Sequence, residues 1–273
     1  MNREEKIKEL LKKEKYLFDD LVTIVELLRS EGGCPWDMEQ THDSIRNDLI
    51  EETYEVIEAI DTNDPALLRE ELGDVMLQVV FHARISEEDK DFDVEDVTND
   101  ICAKLIHRHP HVFGNVVAKT SEQVLNNWDA IKSEEKSRVT VTDKLKSIPP
   151  MLPALMRATK VGKKAKCFDF PTTEDVMDKI SEELVEVSEA IEEGNAEHIS
   201  EEIGDLLLSI TSLCRKLGVD AERSLFDATN KFIARFEAIE NEVIAQNKSI
   251  EECSVGELDR IWDENKKKIS KIL

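Results

Sequence analysis

Apolar residues recur at helical spacing along most of the chain. In the first such stretch, residues 4–30, the apolar positions that carry the period are Leu10, Phe18, Leu21, Val25 and Leu28. The same period predicts further helices at 44–61, 65–88, 93–107, 121–137, 157–166, 176–193, 197–217, 221–245 and 255–269. No stretch indicates a sheet, so the pattern predicts an all-α fold.

Two segments interrupt this pattern. Residues 31–43, EGGCPWDMEQTHD, are predicted as a loop by their glycine pair and proline. Residues 138–153 hold three of the seven prolines and are predicted as a linker. The chain is therefore expected to contain two domains, at 1–137 and 154–273.

One part of the chain is repeated. Residues 51–78 align without a gap on residues 182–209, at an offset of 131, and 12 of the 28 positions are identical. A period of this length indicates two duplicated domains, because solenoid repeats are much shorter.

The repeat brings acidic residues together in a regular way. Glu52 and Glu55 share one helix face, as do Glu71 and Asp74, because each pair is three residues apart. Glu55 and Glu71 both lie eight residues from Asn63 in the predicted turn, and Glu52 and Asp74 both lie eleven away. In an antiparallel helix pair, the four carboxylates would therefore meet as two facing pairs.

The second copy repeats this spacing around a glycine. Glu186 and Glu202 lie eight residues from Gly194, and Glu183 and Asp205 lie eleven away. Carboxylates gathered in this way repel each other unless a cation joins them, and oxygen ligands favour Mg²⁺, with Mn²⁺ as an alternative. The alternative to a metal site is a solvated acidic face. A di-iron site would require Glu-x-x-His pairs, which these helices lack.

Composition limits the classes of partner. The chain has 273 residues and a net charge of −24, which argues against binding to nucleic acid. No apolar run approaches the roughly 20 residues of a membrane span. The charged N-terminus lacks the apolar core of a signal peptide, and the five cysteines form no CxxC pair. We therefore expect a cytoplasmic protein with no membrane partner.

Longer motifs give the chain a family resemblance. The first half contains GGCPWDMEQTHDSI, EETYEVIEAI, EELGDVMLQVVFHA and RHPHVFG, and the second contains PALMRATKVGKKA, FDFP, EELVEVSEAI, EEIGDLLLSI and NKFIARFEAIE. With these strings, the chain resembles the MazG family of nucleoside triphosphate pyrophosphohydrolases over nearly its whole length. Both copies keep the EExxE and ExxD motifs of that family.

The resemblance implies two tandem MazG domains of helical-bundle type, in which antiparallel helix pairs carry the metal site. It also implies a homodimer and Mg²⁺-dependent cleavage of nucleoside triphosphates between the α and β phosphates. The implied metal ligands are Glu52, Glu55, Glu71, Asp74, Glu183, Glu186, Glu202 and Asp205. In the second domain, Glu183, Glu186, Glu202, Asp205 and Lys231 form the expected catalytic set.

Candidate substrate-binding residues lie in the second domain. Lys231 and Arg235 are four apart on one helix face, and the resemblance favours phosphate contact over pairing with acids on a solvated helix. Trp262 is expected either to stack on a base or to pack in the core. Phe168 and Asp169 either read a base edge or act as a hydrophobic staple and an N-cap.

The first domain differs in its cations, because the offset of 131 places Lys231 on Asp100 and Arg235 on Lys104. Phosphate contacts there would fall to Lys104, Arg108 or the loop that follows, so the second domain is expected to be the better equipped. Glu51 and Glu182 are predicted either to orient the attacking water or to be simple surface residues.

Three functions remain open from the sequence. The leading prediction is a Mg²⁺-dependent pyrophosphohydrolase of broad specificity for NTPs and dNTPs. A narrower dUTPase-like or modified-dNTP hydrolase would have the same fold and motifs. A non-catalytic acidic helical module that binds a basic partner would tolerate loss of the carboxylates.

Overall fold

A computed structural model describes residues 1–135, 140–246 and 248–269, and at 129, 133, 134 and 264–269 it describes the backbone alone. The chain divides into two compact units, Met1–Lys132 and Ser133–Leu273. The domain limits expected from the sequence, 1–137 and 154–273 around a linker at 138–153, stay predictions. Each unit is treated below by itself.

The described residues form fourteen α-helices and no strand, which confirms the all-α fold. The first unit holds α1 (Arg3–Leu10), α2 (Phe18–Arg29), α3 (Pro35–Glu39), α4 (Arg46–Asp61), α5 (Pro65–Asp89), α6 (Val94–Arg108), α7 (Pro110–Phe113) and α8 (Ser121–Glu135). The last helix ends just beyond the boundary of that unit. Among these helices, none is long and apolar enough to cross a bilayer, and the same holds for the other described helices.

The helical stretch expected at 4–30 is divided into two helices. The carboxylate of Asp20 accepts a hydrogen bond from the backbone N–H of Leu17 at 2.8 Å, and α2 begins at the next residue, Phe18. Asp20 also pairs with Lys13 in the segment between the helices. The helical spacing of apolar residues is the same before and after the break, at Leu10 and from Phe18 onwards, so the spacing alone predicts one continuous helix.

The second unit holds six α-helices. They are α9 (Val141–Lys146), α10 (Ala154–Lys164), α11 (Thr173–Glu193), α12 (Ala196–Lys216), α13 (Ala221–Ala245) and α14 (Val255–Ile269). Helix α9 falls within the predicted linker, where the Thr140 hydroxyl accepts from the N–H of Asp143 and the Asp143 carboxylate accepts from the N–H of Thr140. This reciprocal cap stabilises a short helix. The sequence predicts a linker here because of the prolines that follow the helix.

Helices α4 and α5 pack together as one hairpin, and α11 and α12 as another. Both turns depend on a residue with positive φ, Asn63 at 53° and Gly194 at 71°. The next residue then caps the second helix, because Asp64 and Asn195 each accept two backbone N–H hydrogen bonds with their side chains. The turn centres are therefore the two residues from which the acidic positions are equally distant.

Separate apolar clusters support the two units. In the first unit, a buried cluster joins α2, the start of α4 and the C-terminal half of α5, through Val25, Ile45, Val80, Phe81 and Ile85. In the second unit, a buried cluster joins α13 to α14, through Ile239, Val243 and Ile261. The first cluster leaves the N-terminal half of α5, which carries the acidic motif, next to α4.

Candidate metal centres

The hairpin of α4 and α5 brings three carboxylates together. Glu52, Glu55 and Glu71 each offer an oxygen atom, and these atoms all lie within 4.8 Å of one another. Glu71 is buried and the other two are half-buried. The fourth predicted ligand, Asp74, is half-buried on the next turn of α5 and is not one of these three.

The carboxylates of this first cluster are close enough to raise one another's pKa values. Burial raises the pKa of Glu52, and the charges of Asp74 and Glu55 raise it further. Burial also raises the pKa of Glu71, with a contribution from its hydrogen bond with Glu55. Among the described residues, the ion pairs of this unit join side chains outside the cluster. In the part of the chain that the structure describes, the cluster therefore has no paired cation.

The hairpin of α11 and α12 builds the second cluster in the same way. Glu183, Glu186 and Glu202 offer oxygen atoms that all lie within 4.8 Å of one another. Glu183 is only 4% exposed, and its Oε2 has no hydrogen-bond partner among the described residues. Asp205, the fourth predicted ligand, is exposed and is not one of these three.

Two basic side chains contact the second cluster. The Nζ of Lys179 lies 2.9 Å from Glu183 Oε1 and 3.8 Å from Glu186 Oε2. His198 lies between two carboxylates, with Nε2 3.1 Å from Glu202 Oε1 and Nδ1 2.9 Å from an oxygen of Glu193. The hydrogen bond with Glu193 raises the pKa of His198, and the charges of Glu193 and Glu202 raise it further.

The donor set fits a divalent cation. A buried carboxylate oxygen without a partner is costly, because an ionised group loses its hydration when it is buried. The unpartnered Oε2 of Glu183 is such an atom, and it belongs to a group of carboxylates that offers only oxygen ligands. Hard cations such as Mg²⁺ and Mn²⁺ take ligands of this kind.

The predicted substrate-binding cation Arg235 contacts an aromatic ring. Its guanidinium carbon lies 5.7 Å from the centroid of the Trp262 ring, which joins α13 to α14. The Nε of Arg235 is buried and has no hydrogen-bond partner in the described part of the chain. Lys231 is exposed one turn earlier on α13, and Trp262 also packs on Phe232, with ring centroids 5.3 Å apart.

The first unit also contains an arginine beside a tryptophan ring, with a lysine four residues before the arginine. This Lys–Arg pair lies four residues, about one helical turn, beyond the place that the offset of 131 predicts. The guanidinium carbon of Arg108, near the end of α6, lies 5.4 Å from the centroid of the Trp128 ring on α8. Lys104 lies four residues before Arg108, as Lys231 lies four before Arg235. The fixed offset of 131 missed this match, because an offset of 127 aligns the two Lys–Arg pairs. Comparing residue types within one turn of the expected position would have found it.

The other two predicted substrate residues are not alike in their surroundings. Phe168 is 92% exposed, and no contact of its ring is described. Asp169 accepts two hydrogen bonds from the Arg215 guanidinium, at 2.6 Å each, and these bonds lower its pKa to about 2. The Asp169 carboxylate therefore already has a partner, which ties the segment before α11 to the end of α12.

Together, the fold and the clusters define a class of protein: all-α chains with duplicated hairpins, each presenting a cluster of carboxylates suited to a divalent cation. Comparison with known proteins narrows this class. The MazG nucleotide pyrophosphohydrolase domain matches residues 40–113 and 171–239. The chain therefore belongs to the MazG family, and both hairpins lie within the matched ranges.

Full-length relatives agree with this assignment. The chain is 44% identical over 252 residues to the nucleoside triphosphate pyrophosphohydrolase/pyrophosphatase MazG of Thermotoga maritima, which covers 92% of this chain and 96% of that protein. It is 41% identical over 254 residues to the nucleoside triphosphate pyrophosphohydrolase of Escherichia coli strain K12, covering 91% and 97%. It also resembles an uncharacterized Bacillus subtilis protein, YabN, at 39% identity, covering 94% of this chain and 53% of that protein.

Proposed function

We propose that this protein is a metal-dependent nucleoside triphosphate pyrophosphohydrolase. It hydrolyses NTPs and dNTPs between the α and β phosphates and releases a nucleoside monophosphate and pyrophosphate. The observation that carries the proposal is the convergence of Glu183, Glu186 and Glu202 around an unpartnered buried oxygen, in a chain of the MazG family. The activity is the one for which its relatives are named.

The residues that would hold the cation are the clustered glutamates and the aspartate that follows them on each hairpin. In the second unit these are Glu183, Glu186, Glu202 and Asp205, and in the first they are Glu52, Glu55, Glu71 and Asp74. When bound, Mg²⁺ or Mn²⁺ neutralises triphosphate charge and polarises the phosphorus towards attack by water. The carboxylates would hold such an ion and, as hard oxygen ligands, would favour it over softer cations.

The remaining candidates would bind the nucleotide itself. Lys231 and Arg235 would donate hydrogen bonds to nonbridging phosphate oxygens, since charged donors are the strongest ligands for such groups. The unpartnered Nε of Arg235 supports this role, because it leaves a donor for a ligand. Trp262 would offer a ring face to the base, although Arg235 and Phe232 already contact that ring.

Two further roles stay predictions. Glu51 and Glu182 are exposed and lie beside Glu52 and Glu183, where either carboxylate would be placed to orient the attacking water. Glu182 accepts a hydrogen bond from Lys179 at 2.7 Å. Asp169 would contact the base only if its pair with Arg215 opens, whereas the exposed ring of Phe168 would need no such change.

A homodimer would cover apolar surface on the hairpin helices. Large apolar side chains of α11 and α12 are about half exposed, namely Leu184, Val185, Ile191, Ile203, Leu207 and Leu208. Apolar surface of this kind beside a functional site typically forms an interface. A second copy of the chain is the proposed occupant, and light scattering should give twice the chain mass of 31.2 kDa. A mass of one chain at micromolar concentration would contradict it.

The test of the function is pyrophosphate release from a panel of NTPs and dNTPs, with Mg²⁺, with Mn²⁺ and with EDTA. We expect release with either metal, none in EDTA, and none from a Glu71→Gln, Glu202→Gln double variant. A preference for dUTP or a modified dNTP within the panel would favour the narrower hydrolase. If the wild type releases no pyrophosphate under any condition, the non-catalytic binding module becomes the better interpretation.

A further inference from the structure

The two carboxylate clusters differ at one aligned position. At the offset of 131, Lys179 corresponds to Asp48. Each lies four residues before the first clustered glutamate, Glu183 or Glu52, and so occupies the same helix face one turn away. The second cluster therefore has an ammonium group where the first hairpin has a further carboxylate.

Lys179 contacts the side chains that are expected to bind the ion. Its Nζ lies 2.9 Å from Glu183 and 3.8 Å from Glu186, and its hydrogen bond to Glu182 is 2.7 Å long. A lysine ammonium is charged at neutral pH. It therefore neutralises part of the charge that a divalent cation would otherwise neutralise.

Lys179 contacts only part of the cluster, so it would compete with a bound cation for the glutamates but would not take the place of that cation. Lys179 binds Oε1 of Glu183, whereas Oε2 of the same buried carboxylate has no partner. An ion bound at the cluster would thus share Glu183 with the ammonium, at distances over which like charges repel strongly in a partly buried site. In the first hairpin, the half-buried Asp48 would instead add attraction for a cation.

We propose that Lys179 is an internal counter-ion of the second cluster, which competes with the divalent cation for Glu183 and Glu186. The second site therefore binds its ion more weakly than it would without this lysine, and more weakly than the first site. When the divalent ion is scarce, the first site fills before the second. The inference rests on the proposed metal-dependent function and concerns the affinity of each site.

The test measures binding of Mn²⁺ alone to the full chain by titration calorimetry, without nucleotide. A Glu52→Gln, Glu71→Gln background disables the first cluster, so that the remaining binding reports on the second. In this background, Lys179→Met should tighten Mn²⁺ binding about tenfold or more, because it removes the charge and keeps the length of the side chain. Lys179→Arg should keep the weak binding.

The matched control is Lys163→Met, which removes the charge of an exposed lysine on α10. It should leave Mn²⁺ binding unchanged. If it tightens binding as much as Lys179→Met does, the effect is one of net charge and the proposal is wrong.

A reciprocal experiment uses the first cluster, in a Glu183→Gln, Glu202→Gln background. Asp48→Lys should weaken Mn²⁺ binding about tenfold, and Asp48→Asn should weaken it less. This arm removes no described contact, so it stays informative if Lys179→Met fails to fold, which thermal unfolding in EDTA would reveal.

The outcomes separate this proposal from the function on which it rests. If Mn²⁺ binds but neither Lys179→Met nor Asp48→Lys changes its affinity, the counter-ion proposal is wrong and the metal site stands. If the wild type and every variant fail to bind Mn²⁺, the metal-dependent function and the counter-ion proposal both fail.

Discussion

The two hairpins have the same geometry and different electrostatic surroundings. Each brings three glutamate oxygen atoms within 4.8 Å of one another across a turn centred on a residue of positive φ. In the first unit the pKa of Glu52 and of Glu71 is raised, because the cluster is partly buried and contacted by further acids. In the second unit burial also raises the pKa of Glu186, but two basic side chains, Lys179 and His198, contact the cluster. The arrangement of ligands and their charge compensation are therefore set by different residues.

The cation–aromatic pairs give a second comparison. Both units contain an arginine over a tryptophan ring with a lysine four residues before it. Arg108 is only 6% exposed, whereas Arg235 is half-buried and keeps an unpartnered Nε. The units thus share the residue types for phosphate binding, and they differ in how accessible the arginine is.

The largest expected difference between the units is in catalysis. Glu202→Gln should reduce pyrophosphate release at least about 100-fold, because it removes a proposed ligand from the unit with the more accessible arginine. Glu71→Gln, the change at the aligned position, should reduce it less than about twofold. Steady-state release at saturating Mg²⁺ measures both.

The control for charge is Glu197→Gln, which changes an exposed glutamate on α12 outside the cluster and should leave release unchanged. The opposite order of effects, with Glu71→Gln the more damaging, would assign turnover to the first unit. Equal losses would mean that the two clusters act together.

A smaller effect is expected on the stability of the metal-free protein. In EDTA at pH 7, Glu52→Gln should raise the unfolding temperature, because it removes a charge from an uncompensated cluster. Glu183→Gln, at the aligned position, should lower it, because it removes the carboxylate that pairs with Lys179. Thermal unfolding followed by circular dichroism measures both, with Glu58→Gln on the same helix as Glu52 as the exposed control.

The pH dependence of the Glu52→Gln gain follows from the direction of the pKa shift. The pKa of Glu52 in the folded state is raised above its ordinary value of 4.5. A carboxyl of this kind contributes stability below its ordinary pKa and loses that contribution as the pH rises through the folded value. The gain should therefore be present at pH 7 and shrink towards pH 4. A gain that persists at pH 4 would point to packing as its cause.

Much of the fold follows from the spacing of apolar residues. The hairpin helices agree with the prediction to within a few residues, and the turn predicted from its Asn, Asp and Pro residues has its centre at Asn63, as the second has at Gly194. The pattern did not reveal the break before Phe18 or the helix at Val141–Lys146, because both depend on side-chain caps, by Asp20 and by Thr140 with Asp143. Caps act on single N–H groups and leave no period in the sequence.

The candidate site was predicted in outline. Equal spacing from the turn placed Glu55 opposite Glu71, since helical rise is uniform. The basic contacts also have a signal in the sequence, because Lys179 lies four residues before Glu183 and His198 four before Glu202, a spacing that places each pair on one helix face. The pair between Asp169 and Arg215 was out of reach, because 46 residues separate its partners along the chain.

Each carboxylate cluster is contained within a single helical hairpin, and this has a consequence for how such proteins evolve. Because all the proposed metal ligands of one site lie within one 28-residue repeat, a single duplication of that stretch of gene copies the whole ligand set at once. No distant segment has to change in parallel to supply a metal ligand. Selection can then retain one copy while the other drifts at flanking positions such as 48 and 179. A tandem chain of this kind holds a spare site that is free to specialise.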